Sequence, residues 1–235
     1  MGRKKQLTPI TDIFDLESPE ATEFRRILHN LNQSGKGGEK KSLLITSAML
    51  SEGKSLVSAF IAMTSARHKN RKTLLVDFDL RKPMQHKLFA QERNKGIADI
   101  ILDDLAPRNA VSPTEFDDLD ILKAGKYVEN PTELITGPNI HMIIEEMKYY
   151  YELIVVDSPP LIPVMDSLVL LEEMDAVLMV IKAGATQKAV VSRARRALAP
   201  HNDKIVGVIV NNLKRTLPYY YNYNYYGYHY KQTKN

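Results

Sequence analysis

The chain has no cysteine. That excludes disulfides, thiolate metal sites and a cysteine nucleophile, and it fits a reducing compartment. No apolar run approaches the ~20 residues that a membrane-spanning helix needs. The opening Met1-Gly2-Arg3-Lys4-Lys5 is basic, but no apolar segment follows it, so it is not a secretory signal. Gln6 stands where an N-myristoylation pattern needs Ser or Thr. A cytoplasmic location is therefore expected. Metal-ligand spacing is also missing: His68, His86, His141 and His201 are scattered and expected on surfaces or helix ends.

What is present is an ordinary globular composition. The 235 residues suffice for one large domain with a substantial core. Hydrophobic residues make up 44% and charged residues 26%, as in soluble domains. The net charge of +4 collects at the two ends, in Arg3, Lys4 and Lys5 and in Lys231 and Lys234. That is a solubilising pattern, with a weak pull toward anionic lipid or an acidic partner, and no nucleic-acid partner is expected.

Short apolar runs alternate with helix-like stretches. Residues 43–46, 73–76, 153–156, 176–181 and 205–210, and more weakly 119–122, are apolar on both faces, as strands are when helices cover both sides of a parallel sheet. Helical stretches run over 54–68, 96–102, 139–151, 164–173 and 187–199. The alternation predicts an α/β, doubly wound, mostly parallel sheet with helices on both faces. Before the first strand, Ser18-Pro19-Glu20 forms a helix-start signal, and Phe24, Ile27, Leu28 and Leu31 make an apolar stripe at helical spacing. Residues 33–41, rich in Gly and Lys, read as a linker. Three regions follow: 1–40, an N-terminal helix and linker and a candidate oligomerisation element; 41–217, the folded domain; and 218–235, a tail.

The first strand runs into Ala48-Met49-Leu50-Ser51-Glu52-Gly53-Lys54-Ser55, and a helix follows. Apart from Ala48 in place of the first Gly, this is a phosphate-binding loop of the Walker A type. Its backbone N–H groups and the following helix dipole suit phosphate oxygens. Lys54 is placed to reach the β/γ-phosphates of ATP, and the Ser55 hydroxyl to ligate Mg²⁺. Gly35-Lys36-Gly37-Gly38 is a decoy, since no strand precedes it and no helix follows. Two later strands end in carboxylates: Asp77 and Asp79, two apart and so sharing a face, and Asp157 in Asp157-Ser158-Pro159-Pro160. Ligands of open parallel sheets lie beyond the carboxyl ends of the strands. All three aspartates are therefore candidates to meet Mg²⁺-nucleotide held by the loop, and together the three motifs predict a P-loop NTPase-type domain.

The tail is the one low-complexity segment. Tyr219, Tyr220, Tyr221, Tyr223, Tyr225, Tyr226, Tyr228 and Tyr230 crowd into it, and from Pro218 onward no Val, Ile, Leu, Met or Phe could anchor it in a core.

Taken together, the chain resembles the bacterial protein-tyrosine kinases of the capsule and exopolysaccharide co-polymerase system. The resemblance rests on the Walker A loop at 48–55, on three apolar residues before Asp77-Phe78-Asp79-Leu80-Arg81, on Ile154-Val155-Val156-Asp157-Ser158-Pro159-Pro160, and on the tyrosine cluster. It covers about residues 18–230. It implies ATP-dependent autophosphorylation of the eight tail tyrosines, from one subunit to its neighbour in an oligomer, in the service of polysaccharide synthesis and export. Lys54 would hold the β/γ-phosphates; Ser55, Asp79 and Asp157 would arrange Mg²⁺. Asp77, with Asp79 as the alternative, would accept the tyrosyl proton. Asn211 or Asn212 would contact adenine or merely cap a turn. Implied partners are a separate transmembrane activator at the inner face of the membrane, further copies of the chain and a cognate tyrosine phosphatase. The family's ring-forming helix carries Glu-x-x-Arg-x-x-Arg; here His29 stands at the last Arg position after Glu23 and Arg26. The competing readings are a partitioning or septum-type P-loop ATPase, against which Met49 stands at the signature-lysine position, and a nucleotide-gated scaffold with a non-substrate aromatic tail.

Overall fold

The computed structural model describes residues 9–15, 17–33, 39–137 and 139–213. The tyrosine tail and the decoy Gly/Lys segment lie outside them, and so do the expectations that fall on those two segments. The strands are β1 (Ser42–Ser47), β2 (Thr73–Asp77), β3 (Val111–Pro113), β4 (Leu119–Leu122), β5 (Leu153–Asp157), β6 (Ala176–Lys182) and β7 (Ile205–Asn211). They form one sheet in the order β3-β4-β2-β5-β1-β6-β7. Every pairing is parallel except that of the short edge strand β3 with β4. The helices are α1 (Pro19–Gln33), α2 (Lys54–Lys69), α3 (Gln85–Leu88), α4 (Ile97–Asp103), α5 (Pro131–Ile135), α6 (Asn139–Tyr150), α7 (Asp166–Glu172) and α8 (Lys188–Leu198). The doubly wound sheet expected from the apolar runs is present.

Strand residues point alternately to opposite faces, and this divides the core in two. Leu44, Leu74, Val76, Ile154 and Val156 pack under α4, α6, α7 and α8. Leu43, Ile45, Leu75, Leu153 and Val155 pack under α1 and α2. Burial of such side chains contributes about 1.5–3 kcal/mol each, so each face of the sheet is held by its own layer.

The expected helix start at Ser18 is formed: its hydroxyl accepts the Ala21 N–H at 3.1 Å. Leu28 and Leu31 are buried against α2, and Phe24 packs at a tilt on Phe60 with ring centroids 5.4 Å apart. A carboxylate closes the opposite end of the sheet from the phosphate loop. Asp175 accepts the N–H groups of Lys41 and Ser42 at 2.9 and 2.8 Å and the Lys148 ammonium at 3.0 Å. It ties the start of β1 to the turn before β6. Among the described residues no helix is long and apolar enough to cross a membrane.

Candidate active site

The loop between β1 and α2 lies at the carboxyl edge of the sheet. Its crest, Met49, Leu50 and Ser51, is exposed, while Ala48 beneath it is fully buried. Ala48 takes no positive φ, so its methyl group is compatible with a position where glycine is usual. Gly53 does need to be glycine. Its φ is +94°, in the left-handed region, and a Cβ there would lie 2.2 Å from the Asn211 side-chain nitrogen.

Two anchors fix the loop, and neither had a local signal in the sequence. Glu52, 4% exposed, accepts the Met49 N–H at 2.8 Å with one oxygen and the Thr186 hydroxyl with the other. Asn211, the last residue of β7, donates its amide to the Glu52 carbonyl at 3.0 Å and accepts the Asn212 N–H at 2.8 Å. Asn211 thus braces the loop from behind. Beside it lies an open cavity of about 260 Å³, walled by Phe24, Ile27, Val57, Ile209 and Leu213 and reached by Asn211 and Asn212.

Asp77 and Asp157 face each other directly across β2 and β5. Lys54, at the start of α2, reaches down to them. Its Nζ lies 2.7 Å from Asp79 Oδ2 and 3.6 Å from Asp157 Oδ1. Ser55 Oγ accepts from the same ammonium at 3.3 Å. The sheet therefore brings together Lys54, Ser55, Asp77, Asp79 and Asp157, which the sequence offered as three separate motifs.

The electrostatics follow from crowding three carboxylates around one ammonium out of water. Burial, and then repulsion from Asp157, push the Asp77 carboxyl up to about 8. Burial also raises Asp157 against the pull of Lys54. For Lys54 burial works the other way, but Asp157 and Asp79 outweigh it and hold its pKa above the ordinary lysine value. The pocket is short of positive charge. Hard oxygen donors with surplus negative charge fit a divalent cation such as Mg²⁺. Among the described residues no three acidic or histidine side chains converge as a metal cage, and Mg²⁺ commonly takes only one or two carboxylates beside waters and phosphate oxygens.

Asp77 has a second role. Its Oδ2 accepts the N–H groups of Met84 and Gln85, both at 2.9 Å, and its Oδ1 accepts that of Asp79 at 3.2 Å. It fastens the turn leading into α3. Gln85, which the sequence reading passed over, is fully buried and donates to Asp157 Oδ2 at 2.8 Å and to the Ser55 carbonyl at 3.0 Å. Its own Oε1 is buried without a partner among the described residues. Arg81, the end of the Asp-x-Asp-x-Arg element, turns away from the carboxylates. It pairs with buried Asp166 of α7 at 2.9 Å and donates to Thr132 of α5 at 2.7 Å. His86 lies in the last turn of the short α3, one of the two placements expected of it, but it is not on the surface: it is 9% exposed, because Leu88 and Phe89 draw α3 into the core.

No protein-family profile matches the chain. A relative from Staphylococcus aureus named CapB is 34% identical over 95% of this chain and 99% of its own. The tyrosine-protein kinase YwqD of Bacillus subtilis strain 168 is 33% identical over 90% of this chain and 88% of its own. Among solved structures, the chimerical protein CapA2B2 superposes with a TM-score of 0.80 at 28% identity, over 86% of this chain and 88% of that one. The septum site-determining protein MinD of Pyrococcus horikoshii, solved with Mg-ADP, shares the fold: TM-score 0.64 at 20% identity, over 75% of this chain and 72% of that one.

Proposed function

Because this chain belongs to the bacterial tyrosine-protein kinases, we propose that it transfers the γ-phosphoryl group of ATP to its own C-terminal tyrosines, in trans within an oligomer. The acceptors are Tyr219, Tyr220, Tyr221, Tyr223, Tyr225, Tyr226, Tyr228 and Tyr230. The observation that carries this is the convergence of Lys54, Ser55, Asp77, Asp79 and Asp157 under a braced phosphate loop.

Each residue has a task that its position supports. Backbone N–H groups of the loop, apart from that of Met49, which Glu52 holds, cradle the phosphates. Lys54 exchanges its contact with Asp79 for the β/γ-phosphate oxygens. Ser55, Asp79 and Asp157 hold Mg²⁺, which when bound neutralises charge on the transferred group. Asp77 or Asp79 accepts the tyrosyl proton. Both are engaged before nucleotide binds: Asp77 accepts the N–H groups of Asp79, Met84 and Gln85, and Asp79 accepts the Lys82 N–H at 3.0 Å and the Lys54 ammonium at 2.7 Å. The adenine lodges in the cavity beside Asn211 and Asn212. A free tyrosine hydroxyl has a pKa near ~10, so positioning and charge neutralisation supply most of the acceleration.

In the cell this activity serves capsule or exopolysaccharide synthesis and export. A transmembrane activator recruits the chain to the inner membrane face, and a cognate phosphatase resets the tail. The exposed Glu23 and Arg26 of α1, paired at 3.1 Å, are candidates for contacts between copies. The test is incubation with Mg²⁺ and labelled ATP, with and without the activator's cytoplasmic segment. Label should enter tyrosine in the wild type and not in Lys54→Ala. ATP turnover to free phosphate without tyrosine labelling would overturn the reading.

A further inference from the structure

A second polar cluster lies beside the carboxylates and takes no part in their chemistry. Lys123 directly follows β4. The β2–β4 register pairs Val76 with Leu122, so Lys123 comes level with Asp77, one strand away and on the same face. It is 2% exposed, yet among the described residues its Nζ has one hydrogen-bond partner, the neutral Gln91 side-chain oxygen at 3.3 Å. On neighbouring α3, the Nδ1 of buried His86 has no hydrogen-bond partner among the described residues. The charges of Lys87, Arg93 and Lys123 all bear on that imidazole. Arg93 is aimed by its bonds to the carbonyls of Gly125, at 2.6 Å, and Lys126, at 3.3 Å. The acidic group that bears on Lys123 is exposed Glu92.

Burying an ammonium against a neutral amide is costly, and so is leaving an imidazole nitrogen unbonded. A compact anion with several acceptor oxygens would offset both costs. We propose that Lys123, His86 and Arg93 form a subsite for a phosphate monoester, with Lys87 at its rim, and that the ligand is a phosphotyrosyl side chain of a tail. Only the choice of ligand rests on the kinase reading; the site itself does not. The tail supplies no other strong anionic side chain: residues 214–235 contain no Asp or Glu. A phosphotyrosine brings about −1.5 to −2 charge and three acceptor oxygens.

The spacing gives the subsite a use. Neighbouring strands lie ~4.8 Å apart, so the ends of β4 and β5 are separated by ~10 Å, two to three residues of extended chain at ~3.4 Å each. A phosphotyrosine held at Lys123 would present a tyrosine two positions along to the Lys54–Asp157 centre. The Tyr221, Tyr223, Tyr225 register of the tail has that period. A first phosphorylation would then promote the next.

The test uses phosphatase-treated full-length protein with saturating Mg-ADP, so that the phosphate loop is filled. A labelled peptide of residues 218–226 with phosphate on Tyr221 is titrated against its unphosphorylated twin by fluorescence anisotropy. The phosphopeptide should bind about ten-fold tighter or more, as expected for a buried charge-assisted site. Lys123→Met, which keeps the apolar stem, should remove that advantage. Lys87→Glu, an exposed change that cannot unfold the core, should reduce it. Inorganic phosphate is the competitor. If it displaces the phosphopeptide only at much higher concentration, the tail is the source; if it competes equally, free phosphate is the ligand and the tail assignment falls. Equal binding of the two peptides, or wild-type affinity in both variants, would overturn the subsite. A chain inactive as a kinase that still distinguishes the peptides would keep the subsite and lose the kinase reading.

Discussion

Lys54 and Asp79 are joined by a 2.7 Å ion pair whose two side chains are only 11% and 4% exposed. On the proposed function, ATP must break this pair to take the lysine. The lysine is the one cation among three buried carboxylates, so the two partners are not equivalent. Lys54→Met leaves the Asp79 and Asp157 carboxylates without the cation they pair with and should cost about 3–5 kcal/mol of stability. Asp79→Asn removes one of the mutually repelling carboxylates and should cost clearly less. Urea unfolding of nucleotide-free protein measures both; the reverse order would contradict the charge balance. Neither variant should transfer phosphate.

Gly53 and Asn211 test the loop geometry. Gly53→Ala adds a Cβ that meets the Asn211 amide at 2.2 Å and forces alanine into φ +94°. The strain alone costs roughly 1–2 kcal/mol. ATP-analogue binding should fall together with stability. In an Asn211→Ala background the steric part is gone, so the same substitution should cost less. Additive effects in the double-mutant cycle would show that the two side chains do not meet.

Asp175 sets a pH dependence. Burial pushes its carboxyl up, but the Lys148 ammonium and the N–H groups of Ser42 and Lys41 outweigh it and hold the pKa below the ordinary value. A depressed carboxyl stabilises the fold above its unfolded pKa of ~3.9 and loses that contribution as pH falls through the folded value. Asp175→Asn should therefore cost about 1–3 kcal/mol at pH near 7. The gap to the wild type should close below a pH of ~4. A gap that stays constant down to the acid limit would rule out the ionised clamp.

The Arg81–Asp166 pair fixes the carboxylate-bearing turn to α5 and α7. Asp166→Ala takes a buried acceptor from the half-buried Thr132 hydroxyl and from the Arg81 guanidinium, whose side chain is 38% exposed. It should lower stability by about 1–3 kcal/mol and slow tail phosphorylation, without abolishing ATP binding. Unchanged phosphorylation would make Arg81 a purely structural residue.

Strands, sheet type and the three charged motifs were legible because each is local. Leu43–Thr46 and Ile154–Val156 are apolar on both faces, and Lys54, Asp77 and Asp157 sit at strand or helix ends, where the ligand edge of such a sheet must be. What escaped was set by distant partners. Glu52 meets Thr186, and Gln85 meets Asp157, across long stretches of chain that carry no shared period. β3, α3 and α5 are too short to show one. For His86 a surface or a helix end is expected; it sits at a helix end, but a lone histidine next to Lys87 gives no sign that Leu88 and Phe89 will pull it inward. Asn211 had been offered as an adenine contact or a turn cap; bracing the loop was visible only once β7 stood beside Gly53.

The central claim is that this carboxylate–lysine centre phosphorylates the tail. The most direct measurement is intact-mass and peptide mass spectrometry of the full chain after incubation with Mg²⁺ and ATP, alongside Lys54→Ala and with the activator segment supplied. The expected result is several phosphates on the wild type, mapped to tyrosines between Tyr219 and Tyr230, and none on the variant. Unmodified tail tyrosines in a protein that binds or hydrolyses ATP would contradict it.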